Sequence, residues 1–123
     1  MKHVLKLTTD GKIKTVSIPD DHDFRWYAKE IGCEWIEVVN PRGYEYSLVI
    51  DEEGILNELP VNPYASIMYG FNRHGVPIVG DALLMKSEYG PDGVDLTGLD
   101  DDDLLKAKNV LLKIHDQAME ICG

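Results

Sequence analysis

A chain of 123 residues, 44% hydrophobic and 28% charged, has the size of one domain with a single core. Its apolar runs are a few residues long, against the ~20 that cross a bilayer, and Lys2 and Lys6 interrupt a signal-peptide core, so a cytoplasmic protein without a membrane anchor is expected. The net charge of −10 leaves no basic stripe to follow a phosphate backbone, which argues against direct binding of DNA or RNA.

The first element is a hairpin over residues 2–18. Val4, Leu5 and Leu7 precede Asp10-Gly11, and Ile13, Val16 and Ile18 follow; Asp-Gly supplies the positive φ of a tight turn. Pro19 closes the second strand, and Asp20 or Asp21 is placed to cap a helix. Phe24, Tyr27, Ala28 and Ile31 recur at helical spacing, so one face is apolar, and Gly32 suits the position that stops the helix. A strand over 33–39, a turn at Asn40-Pro41-Arg42-Gly43 and a strand over 44–51 come next, with Tyr44, Tyr46 and Leu48 on one face and Glu45, Ser47 and Val49 on the other.

Asp51-Glu52-Glu53-Gly54 reads as a turn and Leu59-Pro60 as a bend. Asn62-Pro63 is an N-cap followed by proline at the first helical position, and this helix should run to Tyr69 and stop at Gly70. Val76 to Met85 reads as a last strand, with Pro77 near its start. Residues 87–99, rich in glycine and proline, read as a surface connection. A helix over 100–122 follows, its four leading aspartates matched to the positive end of the helix dipole. Its polar wedge is narrow, so burial on more than one side is expected. The order β-β-α-β-β-α-β-α predicts an α+β fold with a mixed or mainly antiparallel sheet and a long C-terminal helix: one domain over 1–123, with a core at 1–86, a loop at 87–99 and the helix at 100–122.

Four segments in this order, IGCEWIEVV, VIDEEG, LPVNPYAS and IVGDALLM, resemble a family of small uncharacterised proteins met in bacteriophages, prophages and plasmids and carried as a domain of unknown function. The resemblance covers most of the chain and implies a fold and a mobile-element context, with no reaction attached. Two departures stand out: Cys33 occupies a position where the family favours a second glycine, and the last helix is longer and more apolar than the family pattern.

Asn62 is the leading candidate for a special role, either as a helix cap or as a polar group lining a ligand pocket beside helix N–H groups. Tyr64 and Ser66 share that ambiguity. Arg73 and His74 are placed to join them, with Arg73 suited to a phosphate. Asp81, inside an apolar strand, must be paired or hydrogen-bonded; otherwise it is a ligand-binding or catalytic group.

The four histidines, His3, His22, His74 and His115, show no metal-ligand spacing, and no metal or other cofactor is expected. Cys33 and Cys122 form no motif, and Ser66 lacks the glycines of a nucleophile elbow. In the last helix, Leu104, Ala107, Leu111, Ile114, Ala118 and Ile121 follow 3-4 spacing, which suits either the chain's own core or a homodimer seam.

The leading functional expectation is a non-catalytic accessory protein of mobile-element origin that binds a host protein and interferes with defence or regulation. The alternative is sequestration of a small ligand such as a nucleotide at the Asn62 helix start. Third is a small hydrolase using carboxylates such as Glu37, Asp51 or Asp81, which requires two of them to converge in one cleft.

Overall fold

Asp10-Gly11 closes the first hairpin as its turn chemistry requires, with Gly11 at φ 81°. In the computed structural model, which describes residues 2–70, 75, 77–91 and 93–122, this hairpin joins β1 (His3–Leu7) to β2 (Ile13–Ser17). Then come α1 (Phe24–Ile31), β3 (Ile36–Val39), β4 (Tyr46–Asp51) and α2 (Pro63–Tyr69). The chain continues through β5 (Ala82–Gly90), β6 (Gly93–Thr97), α3 (Asp101–Lys113) and α4 (His115–Cys122).

Every strand pairing is antiparallel, in the order β2-β1-β5-β4-β3. Lys86 pairs with Tyr46 on one side and Thr97 on the other. β6 therefore lies on the same flank of β5 as β1, continuing where β1 ends. The fold is α+β, as the element order predicts, with the sheet covered on both faces.

Those two faces explain the burial pattern. Leu5, Leu7, Tyr46, Leu48, Ile50, Ala82 and Leu84 meet α2, α3 and α4 on one side. Val4, Val49, Leu83 and Met85 meet Tyr27 of α1 on the other. β4 is consequently buried at all six positions; its alternation sorts residues between two cores and not between core and water.

Several predicted boundaries move. The cap of α1 is Asp23, not Asp20 or Asp21: its carboxylate accepts from the N–H groups of Arg25 and Trp26. Phe24, predicted on the buried face, is half-exposed. The predicted strand at 33–39 begins at Ile36, and the one at 44–51 begins at Tyr46.

The predicted strand over 76–85 is divided by Gly80, whose φ of 80° is left-handed and breaks an extended run. Val79 makes an isolated bridge to Val61, and β5 starts afresh at Ala82. Residues 87–99 are not a surface connection but mostly strand: β5 runs on to Gly90 and turns back as β6, pairing Ser87 with Leu96 and Gly90 with Gly93.

The last helix is two helices. Ile114 (φ −103°, ψ 5°) interrupts it, its N–H turning to the Leu111 carbonyl at 3.3 Å, and α4 packs on α2. Burial on more than one side is not met in α3, where Leu105 and Leu112 remain largely exposed.

Candidate functional site

Pro63 starts α2 with a fixed φ, and Asn62 in front of it accepts from the Ala65 N–H at 3.1 Å. The Asn62 amide does more than cap. Its NH2 group donates to the Leu7 carbonyl at 2.8 Å and to the Gly80 carbonyl at 2.9 Å, and the side chain is fully buried. Ser66, one helical turn on and also buried, donates from its hydroxyl to the Ile78 carbonyl at 3.0 Å and accepts from the Ile78 N–H at 2.9 Å. These two residues tie α2, β1 and segment 78–80 into one body and have no surface to offer a ligand.

Tyr64 is buried as well, its hydroxyl 2.7 Å from Nδ1 of His115, linking α2 to α4. Asp81 sits by the end of β1: it accepts from the Thr9 N–H at 3.1 Å and lies 4.0 Å from the Lys6 ammonium. Arg73 and His74 lie outside the described residues. The Asn62 group is therefore brought together as a packing node, with Asp81 next to Gly80 in the chain but bonded to Thr9 and facing Lys6 instead.

The seam residues are equally committed. Ala107, Leu111 and Ala118 are fully buried and Ile114 nearly so, all in the core shared with α2 and the sheet, with Leu104 partly buried against them. Ile121 is partly buried. Asp100 caps α3 through the Asp103 N–H at 2.8 Å. Lys86 joins Asp103 at 3.2 Å, which fastens the start of α3 to β5 and holds the lysine pKa above its ordinary value.

An open site lies at the other end of the sheet. β3 is the edge strand, and the acidic turn after β4 folds against segment 77–79. Gly54 permits that approach, since a Cβ there would meet Val79 Cγ2 at 2.8 Å and the Val79 carbonyl at 3.3 Å. Between turn and edge is a cleft of about 170 Å³, with Val39, Ile50, Tyr69 and Ile78 among its apolar walls and Glu37, Asp51 and Glu52 at its rim.

Ile55 and Leu56 line the cleft at 69% and 79% exposure, and Trp35 and Val38, at the β3 edge, are 57% and 40% exposed. Contiguous exposed apolar patches are a feature that interaction surfaces share. Sequence reading missed Ile55 and Leu56 because a turn containing two apolar residues shows no periodicity.

Glu37 and Asp51 line the same cleft, and Asp81 is not part of it. Asp51 is turned inward, accepting from the Glu53 N–H at 2.8 Å. Nearby Cys33 is no activated thiol: burial first, and the Asp51 carboxylate second, push its pKa up. Among the described residues no group of three or more histidine, cysteine, aspartate or glutamate side chains is arranged to hold a metal ion, and no helix is long and apolar enough to cross a membrane.

Residues 1–109 match the family described as Domain of unknown function (DUF3846). The chain belongs to this family. The DUF3846 match takes in the whole sheet, α1, α2 and most of α3, so the β3 edge and its cleft lie within it, whereas Ile114 and α4 lie beyond. No curated protein and no solved structure matches the chain.

Proposed function

We propose that this DUF3846 chain is a non-catalytic accessory protein of mobile-element origin that binds a host protein in the cytoplasm, interfering with defence or regulation. The observation that supports it is the exposure of Ile55 and Leu56 on an acidic cleft at the sheet edge, with Trp35 and Val38 also exposed along that edge. Leaving such side chains in water is a standing cost of roughly 25 cal/mol per Å² of apolar surface. Covering them with a partner recovers it. The mobile-element origin rests on the sequence resemblance.

A nucleotide fits this surface less well. The cleft, at about 170 Å³, is below the roughly 300–1,000 Å³ of ordinary small-molecule sites, and its rim of carboxylates repels phosphate. Glu37 and Asp51 in one cleft are the feature that favours a hydrolase, but Asp51 is already engaged by its own turn.

The test is affinity capture from a bacterial host lysate with wild-type protein and with Leu56→Asp. Leu56 is 79% exposed, so the variant should fold with wild-type stability. Recovery of a specific host protein should fall about tenfold or more if Leu56 sits at the centre of the contact. Equal recovery with both proteins would discard this surface as the binding site.

A further inference from the structure

We infer that the partner is engaged by strand addition: a basic, apolar-alternating segment of the host protein pairs with the open edge of β3 and lays its side chains into the cleft. This deepens the binding reading above and rests on it. The backbone carries the first part of the inference. The Glu52 N–H donates to the Trp35 carbonyl at 3.0 Å, in register with the pairs Ile36–Asp51 through Val39–Leu48. Alternation then turns the N–H and C=O of Trp35, Glu37 and Val39 toward β4. Those of Ile36 and Val38 face away from it, on the side of β3 where no further strand pairs among the described residues. An edge of this kind is a template for another strand, and main-chain bonding with alternate side-chain pockets is a recurrent way of binding extended peptides.

Side chains select the occupant. Glu37 and Val39 project toward the cleft, Val38 toward the opposite face, so an added strand finds apolar surface on both sides. Residues 33–59 carry seven carboxylates and one cation, Arg42. A segment that alternates lysine or arginine with aliphatic residues meets Glu37 and Glu52 with opposite charge and Ile55 and Leu56 with apolar area. A second copy of this chain is the wrong match, because β3 against β3 brings Glu37 toward Glu37 between two molecules of net charge −10, and like charges across a strand pair are unfavourable.

The probe is a blocked eight-residue peptide alternating lysine with valine, followed by fluorescence anisotropy, with a glutamate–valine peptide as its counterpart. The lysine peptide should bind and slow amide exchange at Ile36 and Val38, and the glutamate peptide should not bind. Val38→Pro removes one outward N–H, a change that edge strands tolerate; it should weaken binding about tenfold, whereas Val38→Ala should not. Glu37→Lys combined with Glu52→Lys leaves the backbone intact and should reverse the preference toward the glutamate peptide.

Absence of lysine-peptide binding, unprotected Ile36 and Val38 amides, or an unreversed preference in the charge swap would each overturn strand addition. So would a wild-type dimer that Val38→Pro dissociates in sedimentation, since the occupant would then be a second copy. If a host protein is captured by wild type and by folded Val38→Pro but lost with Leu56→Asp, the binding reading stands and strand addition falls. Capture that survives Leu56→Asp removes both.

Discussion

Asn62 spends all of its polar capacity on three pieces of backbone that are distant in sequence. Its carbonyl caps α2 at Ala65, and its amide reaches Leu7 in β1 and Gly80 before β5. A cap alone is worth about 1 kcal/mol. Removing Asn62 strands a buried N–H and two buried carbonyls, each costing roughly 1–3 kcal/mol when unsatisfied. Asn62→Ala should therefore lose about 3 kcal/mol or more in urea denaturation, and a loss near the cap value would show that water satisfies the two carbonyls. The cap was legible in the sequence because Asn-Pro is a local signal. The tie to Leu7 was not, since it spans 55 residues and depends on how β1 is laid against β5. The same residue type thus read as a candidate ligand group until its partners were known.

At the scale of elements, helix starts are where local chemistry decides most and where pH enters. At Asp23, partial burial works upward, but the Arg25 guanidinium and the Trp26 and Arg25 N–H groups outweigh it and hold the pKa below its ordinary value. At Asp100 the Asp103 N–H does the same, against a smaller effect of burial. A carboxyl whose pKa is depressed by folding contributes stability above its unfolded value near 3.8; that contribution is lost as pH falls through the lower folded value. Urea midpoints should hold level from neutral pH to about 5 and drop below about 4. Asp23→Asn with Asp100→Asn keeps both caps, because asparagine serves as well there, and should flatten the acid limb; an unchanged limb would place the acid sensitivity in other carboxylates.

Turn and cap signals of this kind made the first hairpin, α1 and α2 readable, down to Gly32 and Gly70 as their stops. The β5–β6 hairpin was hidden by its own composition, since Gly90-Pro91-Asp92-Gly93 marks a loop and a strand turn equally well. Ile114 carries no local signal of a break; beyond it Ala118 joins the core shared with α2, and His115 meets the Tyr64 hydroxyl.

At the scale of the whole molecule, two cores take up the buried apolar side chains, and which stripe they take up bears on the oligomeric state to be expected. Leu104, Ala107, Leu111, Ile114 and Ala118 repeat as a seam would, yet the spacing of a seam and of a helix packed on a sheet is the same over so short a length. The structure fills that stripe from within: Leu111 is fully buried among side chains of this chain. The protein should therefore sediment as a monomer near 13.8 kDa. Leu111→Ala should lower unfolding free energy by about 2–5 kcal/mol through the cavity it leaves, with no change in sedimentation at any concentration where the protein stays folded. A dimer seam makes the opposite prediction, a concentration-dependent mass that Leu111→Ala reduces before stability is lost. Apolar side chains also stay exposed on α3, at Leu105 and Leu112, and at β3, where four residues of edge strand, an acidic turn and Ile55-Leu56 lie together. An edge so short and so charged resists pairing with its own copies, and under the strand addition inferred above the same carboxylates would select a basic partner.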